Sequence, residues 1–257
     1  MMAAPPVRVQ IDEAGAFWSV VLDTPKANLL DLAKIFALTA IFEEAARAPR
    51  LKAIVISGEG PNFCYGASVE EHMPGSCESM IPAFGRLFDA ILRSGVTCVA
   101  AVRGHCLGGG MELATVCQRV VASPDARMGQ PEITLGVFAP LAAAILPERV
   151  GQVRSEELQV TGRIIGAAES LEIGLADEVA EDPVAAARAW VSAHLLPRSA
   201  SSLRLAVRAA RVGLAGRLRA SLPPIERLYL DELMRTDDAV EGLRAFLQKR
   251  APVWSDR

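Results

Sequence analysis

The residues of this 257-residue chain best suited to chemistry are a pair of glutamates and the glycines that precede one of them. Residues 104–113 read GHCLGGGMEL, so three successive glycines precede Glu112, and Glu132 follows in the segment MGQPEITLG. Two carboxyl groups can serve as general acid and general base. Glycines let a ligand approach the backbone, and the first amides of a helix lack a partner within the helix. Together they could bind an anion or an oxyanion beside an acid-base pair.

The glycines and both glutamates also have plainer interpretations. The spacing matches neither GxGxxG nor GxxxxGK[ST], so it does not favour a nucleotide-binding fold. A tight turn from a strand into a helix would accept the same glycines for packing alone. Each glutamate, taken separately, could be a charge at a helix N-terminus or a surface residue. A site is favoured only if the fold brings Glu112 and Glu132 together.

An alternation of strands and helices must position these residues. Apolar periodicity predicts a hairpin from residues 7–12 and 17–22 and a helix over residues 31–47. The same criteria predict buried strands at residues 52–58, 97–102 and 119–122, and helices at residues 80–93 and 111–117. This order is typical of parallel β-α units, in which ligands bind at the loops that follow the strands. Glu132 lies in such a loop.

The pattern changes after Leu141, where helical segments follow one another almost without strands. Pro223 and Pro224 predict a hinge into a last helical segment over residues 225–250. The apolar side chains of that segment need a surface to cover, in the same subunit or in a neighbour. We therefore expect a core domain over residues 1–195 and a helical C-terminal region over residues 196–257.

Composition and charge exclude several classes of protein. Hydrophobic residues make up 51% and charged residues 22% of the chain, which is the balance of a globular protein. The net charge of −3, with scattered Lys and Arg, predicts no nucleic-acid partner. The N-terminus lacks the apolar centre of a secretory signal, and no apolar run is long enough to span a membrane, so we expect a cytoplasmic protein without a membrane partner. Five cysteines without a CxxC pair predict reduced thiols.

A second loop of small residues, SGEGPNFCYGASVEEH, follows the strand at residues 52–58. The ordered set FCYGASV, GHCLGGGMEL and QPEITLG resembles the crotonase superfamily, the enoyl-CoA hydratases and isomerases. The likeness extends from LDTPKANLL near the start to TDDAVEGLRAFLQKR near the end. It implies an α/β spiral of β-β-α units with a helical C-terminal region that assembles a homotrimer or homohexamer. It also implies an acyl-CoA thioester as substrate.

The resemblance implies roles for individual residues. In that family two backbone amides bind the thioester oxygen, and they correspond here to Ala67 and Gly109. Glu112 and Glu132 match the two glutamates that the family's hydratases use. Positions that would line the channel for CoA and the acyl group, the last two of them in reach of a neighbouring subunit's CoA, are Lys26, Ala27, Gly66, Ser68, Val69, Gly108, Pro131, Gly136, Phe246 and Lys249. No metal is implied, and no cofactor beyond the CoA of the substrate.

Two departures narrow the resemblance. Ser68 stands where an acidic residue is usual, and the segment GVFAPLAAAILPERVG after Glu132 lacks the glycine-rich run of ordinary enoyl-CoA hydratases. GASVEEHMP together with GVFAP is similar to the hydratases of aromatic-acid degradation that convert cyclohexa-1,5-diene-1-carbonyl-CoA to 6-hydroxycyclohex-1-ene-1-carbonyl-CoA. Two alternatives stay open: a general enoyl-CoA hydratase or isomerase of fatty-acid oxidation, and a non-catalytic RNA-binding relative.

Two other groups of reactive side chains are interpreted structurally. His105 and Cys106 are adjacent in sequence, so their side chains project in different directions and do not form a Cys-His pair easily. Glu70, Glu71 and His72 are successive residues, which rarely converge on one metal ion. We expect these three to form a solvated helix face.

Overall fold

Strands and helices alternate through the first half of the chain, as the apolar pattern predicts. The structure is a computed structural model that describes residues 6–24 and 27–257. Its strands are β1 Val7–Ile11, β2 Phe17–Leu22, β3 Ala53–Gly58, β4 Thr97–Val102, β5 His105–Leu107, β6 Arg119–Ala122, β7 Arg127–Gly129, β8 Ile164–Gly166 and β9 Glu178–Val179. Its helices are α1 Leu32–Arg47, α2 Cys77–Ser94, α3 Gly109–Thr115, α4 Pro140–Val150, α5 Gln152–Thr161, α6 Ala167–Glu172, α7 Pro183–His194, α8 Ala200–Arg227 and α9 Asp237–Leu247.

The strands form two sheets. The larger has the order β1-β2-β3-β4-β6-β9, in which β1 is antiparallel to β2 and every other pair is parallel. β4 lies in the middle and is buried along its whole length, which explains its uninterrupted small and apolar sequence TCVAAV. The smaller sheet has the order β5-β7-β8, with β7 parallel to β5 and antiparallel to β8.

The main elements agree with the sequence predictions. The hairpin and the strands at residues 53–58, 97–102 and 119–122 are confirmed within a residue or two. Helix α1 begins after Asp31, whose carboxylate accepts a hydrogen bond from the Lys34 amide at 2.8 Å and so caps the helix. The short strands β5 and β7 were not predicted, because three residues are too few to show a period.

The predicted hinge at Pro223 and Pro224 is wrong. Helix α8 continues through both prolines to Arg227. Each proline removes one backbone donor, but the buried side chains Leu218 and Leu222 hold the turns directly before the prolines against the core. Tertiary packing therefore outweighs the local tendency to break.

The chain leaves α8 through irregular helical turns. A π-helical turn, Leu228–Glu232, is followed by a 3-10 turn, Leu233–Arg235, and then by α9. Tyr229 and Leu243 from this region belong to the same buried cluster as the sheet residues Ile54 and Val102. The boundary between residues 195 and 196 stays a prediction. Among the helices of residues 6–24 and 27–257, none has the length and apolarity required to cross a membrane.

Candidate active site

Strand β5 brings the predicted site residues together. The carboxyl ends of β5 and β7 lie side by side, with Leu107 paired to Gly129, and the Gly108 amide donates to the Gly129 carbonyl at 2.9 Å. On the other side of β5, the Leu107 amide donates to the Cys64 carbonyl at 2.9 Å. The loop after β3, the glycines after β5 and the segment after β7 therefore meet at one place.

Each of the three glycines is required for a different contact. Gly108 has a φ of +49°, and the carboxylate of Glu132 lies against its Cα where a side chain would be. A β-carbon on Gly109 would lie 3.2 Å from the Ala67 nitrogen and 3.3 Å from the Phe84 ring. One on Gly110 would lie 2.6 Å from the Cys64 β-carbon. The triplet thus serves a close approach at each position, and Gly108 also adopts a left-handed conformation.

Two backbone amides next to the glycines have no partner. Neither the Ala67 nor the Gly109 amide donates to an acceptor in the part of the chain that the structure describes. The loop that carries Ala67 turns at Gly66, whose φ is +109°, and a β-carbon there would lie 3.6 Å from the Gly109 nitrogen. Two neighbouring free amides can bind one oxygen that carries negative charge.

Glu112 is buried in the first turn of α3. Its side chain is 4% exposed, and its Oε1 accepts a hydrogen bond from the Ala142 amide at 2.6 Å. Ala142 is in the first turn of α4, whose amides have no partner within that helix. The start of α4 therefore holds one carboxylate oxygen of Glu112 in place.

Glu132 lies in a short 3-10 helix, Pro131–Leu135, directly after β7. The buried side chain of Gln130 faces it. With the amide oriented by its hydrogen bonds, the Gln130 nitrogen donates to Oε2 of Glu132 at 3.0 Å and to Oε1 at 3.2 Å. Gln130 thus orients the carboxylate, and Gly108 leaves room for it.

The two carboxyl groups ionise above their ordinary range. Burial raises the pKa of Glu112 to about 8, the charge of Glu132 adds to the rise, and the amide of Ala142 opposes it. Burial also raises the pKa of Glu132 to about 7. A pair with such pKa values shares a proton near neutral pH, so it offers an acid and a base at the same time.

The glutamates and the free amides border one cavity of about 480 Å³. Its lining is mostly apolar, and the segment after Glu132 contributes Val137, Phe138 and Pro140 to it. The Phe138 ring is held edge-on by Tyr229, with 5.3 Å between ring centroids. An apolar cavity with a few convergent polar groups is typical of a site for a small organic substrate.

Most of the predicted substrate-binding residues lie at this cavity. Those that line it are Ala27, Gly66, Ala67, Val69, Gly108, Gly109, Pro131 and Phe246. Phe246 lines the cavity of its own chain, because α9 packs over the 3-10 helices at residues 70–72 and 131–135. That Phe246 and Lys249 reach a neighbouring subunit's CoA stays a prediction. Lys26 lies outside the described residues.

Three predicted residues do not line the cavity. Ser68 is buried, and its hydroxyl donates to Glu70 at 3.0 Å. Gly136, with a φ of +72°, ends the 3-10 helix, and a β-carbon on it would lie 2.8 Å from the Asp238 carbonyl oxygen. Lys249 is exposed just beyond α9. Ser68 and Gly136 therefore affect the site only by fixing the conformation of the backbone next to it.

The expected solvated face holds for Glu70, which is exposed, but not for Glu71 and His72, which are half-buried. Glu70 and His72 line the cavity, and Glu71 accepts a hydrogen bond from the Leu32 amide at 2.8 Å. The loop folds back on the start of α1, which partly covers Glu71 and His72. No group of His, Cys, Asp and Glu side chains within residues 6–24 and 27–257 is arranged to hold a metal ion.

His105 and Cys106 are held by structural contacts, as their interpretation from the sequence predicts. Cys106 is fully buried and free, whereas His105 bonds through Nδ1 with Asn62 and with the Tyr65 hydroxyl, each at 3.0 Å. The two side chains thus have separate structural contacts.

Sequence analysis missed Gln130, His72 and Tyr229 as neighbours of the site. A signal existed only for Gln130, which directly precedes the Pro-Glu pair of the motif.

Known proteins are similar to this chain in sequence and in fold. Residues 13–257 match the family described as enoyl-CoA hydratase/isomerase. The chain is 48% identical over 255 residues to a cyclohexa-1,5-dienecarbonyl-CoA hydratase of Thauera aromatica, with 99% of each chain covered. It is 32% identical over 243 residues to a probable enoyl-CoA hydratase of Mycobacterium bovis, which covers 93% of this chain and 94% of the relative.

A solved structure agrees. The crystal structure of an enoyl-CoA hydratase from Mycobacterium avium subsp. paratuberculosis K-10 superposes with a TM-score of 0.85, at 28% identity over 98% of this chain and 99% of that chain. The predicted crotonase-like α/β fold with a helical C-terminal region is thereby confirmed. Because the family match spans nearly the whole chain and a full-length relative is far above 30% identity, this chain belongs to the enoyl-CoA hydratase/isomerase family.

Proposed function

We propose that this chain adds water to the ring of cyclohexa-1,5-diene-1-carbonyl-CoA and forms 6-hydroxycyclohex-1-ene-1-carbonyl-CoA. The observation that carries the proposal is the pair of Glu112, which is buried, and Glu132, which is half-buried, beside two unpartnered amides in one apolar cavity. The substrate named for the Thauera aromatica relative supports the choice of acyl group.

The amides of Ala67 and Gly109 bind the thioester oxygen. As the oxygen of water bonds to one end of the diene, the π electrons move toward the thioester carbonyl, and negative charge develops on its oxygen. Two amides aimed at that oxygen stabilise the charge by roughly 3 to 4 kcal/mol per donor. The thioester itself accepts the electrons, so we propose that no metal and no redox cofactor takes part.

Glu112 and Glu132 transfer the protons. One ionised carboxylate takes a proton from the water as the new carbon-oxygen bond forms. The other, protonated, carboxyl group delivers a proton to the far end of the conjugated system, which leaves one double bond in the ring. The raised pKa values of both groups support this division, because each carboxyl group can be either protonated or ionised near neutral pH.

The wall of the acyl pocket supports a ring as the acyl group. Val137, Phe138 and Pro140 replace a glycine-rich stretch with stiff, flat surfaces, and Tyr229 holds the Phe138 ring in one orientation. A preformed apolar wall binds a planar six-membered ring without the cost of ordering a mobile loop.

A competition between thioesters tests this proposal. One sample of enzyme receives equal concentrations of cyclohexa-1,5-diene-1-carbonyl-CoA and crotonyl-CoA, and mass spectrometry follows both hydrated products. We expect kcat/KM for the diene to be at least about 100-fold higher, which corresponds to roughly 3 kcal/mol of transition-state binding. Equal or faster hydration of crotonyl-CoA would leave general enoyl-CoA hydration as the function, which the Mycobacterium bovis relative favours.

We also propose that the enzyme is a cytoplasmic homotrimer or homohexamer. Exposed apolar side chains on neighbouring elements outside the active site support assembly, and they are Ile133, Val153, Val160, Ile164 and Leu171. A surface of this kind is typical of a subunit interface.

A further inference from the structure

Residues 251–257, the return segment, follow α9 and turn back along it. The segment pairs with successively earlier residues of this helix. The hydrogen-bonded pairs are Val253 with Glu241, Ser255 and Asp256 with Asp238, and Arg257 with Asp237. The Asp238 carboxylate accepts two of these backbone amides, at 2.6 Å from Ser255 and 2.8 Å from Asp256. Within residues 251–257 the backbone forms neither helix nor strand, so these bonds fix the return segment on α9.

The return segment places the indole of Trp254 over two glycines. A β-carbon on Gly136 would lie 3.1 Å from Cζ3 of the indole, and one on Gly242 would lie 2.9 Å from Cη2. Gly136 ends the 3-10 helix that carries Glu132, whereas Gly242 is in the middle of α9. The backbones of the two elements touch here, since a β-carbon on Gly242 would overlap the carbonyl oxygen of Leu135. The indole therefore covers the contact between α9 and the 3-10 helix.

Of these two elements, α9 is the better anchored. It buries Ala239, Gly242, Leu243 and Ala245. The 3-10 helix Pro131–Leu135 has no fully buried residue, and its Ile133 and Thr134 are exposed. An element with few buried contacts is displaced more easily. Loss of the indole would therefore shift the 3-10 helix and leave α9 in place.

The end of the 3-10 helix under the indole is directly bonded to Glu132. The Val137 amide, next to Gly136, donates to the Glu132 carbonyl at 3.2 Å. The carboxylate of Glu132 lies against Gly108, where there is no space for another atom. A shift at Gly136 is thus transmitted to the backbone and to the carboxylate of Glu132.

We infer that Trp254 is a positioning residue for Glu132, because its indole holds the 3-10 helix against α9 and so keeps the carboxylate beside Gly108. Trp254 itself does not line the cavity and acts only through Glu132. The inference rests on the proposed function, in which Glu132 transfers a proton, and deepens it by assigning the residue that holds this group in place.

Trp254→Ala tests the inference by separating turnover from binding. We expect kcat to fall about tenfold or more, because a displacement of the reacting group by about 1 Å can cost 100-fold. The dissociation constant of a saturated cyclic acyl-CoA should stay within about twofold, since the loss is confined to the reacting state. Trp254→Phe keeps an aromatic ring over the two glycines and should restore most of the turnover. Asp238→Ala releases the return segment without altering the indole, and it should reproduce the loss.

A double variant shows whether Trp254 acts through Glu132. In the background of Glu132→Gln, the change Trp254→Ala should have no further effect on the residual kcat, because residues that act on one group are not additive. Trp190→Ala is the matched control. Trp190 is a half-buried tryptophan of α7 whose ring lies 5.1 Å from the Arg119 guanidinium, and its loss should leave kcat within about twofold.

Three results would overturn the inference: undiminished kcat in Trp254→Ala or Asp238→Ala, binding weakened as much as turnover, or a further loss in the double variant. The kinetics use whichever thioester the enzyme hydrates, so a wrong acyl group does not affect them. If Glu132→Gln alone turns over normally, the proposed proton transfer by Glu132 fails, and that single variant reveals it without any change at Trp254.

Discussion

The carboxylate of Glu132 lies against the Cα of Gly108, at a position where any side chain would displace it. Gly108 also has a φ of +49°, so the glycine both admits the carboxylate and turns the chain into α3. We predict that Gly108→Ala lowers kcat/KM about 100-fold or more, since displacing a reacting group by about 1 Å can cost this much. Steady-state kinetics measure the effect.

Gly60→Ala separates this contact from backbone strain. Gly60 also has a positive φ, +75°, but nothing lies within 4 Å of the place a β-carbon would take. Its replacement should lower stability slightly and leave kcat/KM within about twofold. If both variants lose activity to the same degree, the contact between Gly108 and Glu132 is not the cause.

Removing either acid-base group should stop the chemistry and spare binding. Glu112→Gln and Glu132→Gln keep the side-chain volume, and an amide oxygen at position 112 still accepts from Ala142. We predict that each lowers kcat by ~10²–10⁴-fold, the usual contribution of positioned proton transfer. Calorimetry with a saturated cyclic acyl-CoA should give dissociation constants close to those of the unsubstituted enzyme. Near-normal turnover in either variant would remove that glutamate from the mechanism.

The raised pKa of Glu112 makes stability depend on pH. Below pH 4.5 the group is protonated whether the chain is folded or unfolded, so its ionisation does not lower the free energy of unfolding there. As pH rises from 4.5 to about 8, the unfolded chain loses the proton more readily than the folded one, and stability falls. Gln does not titrate, so the Tm of Glu112→Gln should exceed that of the parent by several degrees at pH 8 and by little at pH 5. Thermal scans at both pH values would refute this if the difference were constant.

Phe138 should set the preference for a ring. Its replacement by Ala removes the flat wall that Tyr229 holds and enlarges the acyl pocket. We predict that Phe138→Ala lowers the ratio of kcat/KM for the cyclic diene to that for crotonyl-CoA about tenfold, which equals roughly 1.4 kcal/mol. Phe36→Ala, at an exposed aromatic on α1, is the control and should leave the ratio unchanged. An unchanged ratio in Phe138→Ala would show that the ring is selected elsewhere.

The apolar surface outside the site predicts an assembly. Light scattering of the purified enzyme should report a trimer or a hexamer. Val160→Asp and Ile164→Asp, at side chains that are 68% and 46% exposed, should lower the mass in solution if they lie in the interface, because a buried unpaired charge is costly there. An active monomer of the unsubstituted chain would contradict the proposal.

The sequence alone was sufficient for the larger strands and for the family. Alternation in β1 and β2, the apolar run of β4 and the helical spacing of α1 are local signals, and local chemistry decided them. The ordered motifs around Ala67, Gly109, Glu112 and Glu132 were enough to identify the amides and the glutamates as candidates, since residue type and order carry that information.

Only the tertiary structure decided which of these residues meet and what surrounds them. Strand β5 is too short to be seen in the sequence, yet its pairing with β7 places Glu132 on Gly108. Packing against the core carried α8 through Pro223 and Pro224, where the sequence predicts a break, and so delivered Tyr229 to the back of the acyl wall. Burial, which depends on every neighbouring element, raised the pKa values of the glutamates. Such effects come from contacts between residues distant in sequence, and no local pattern contains them.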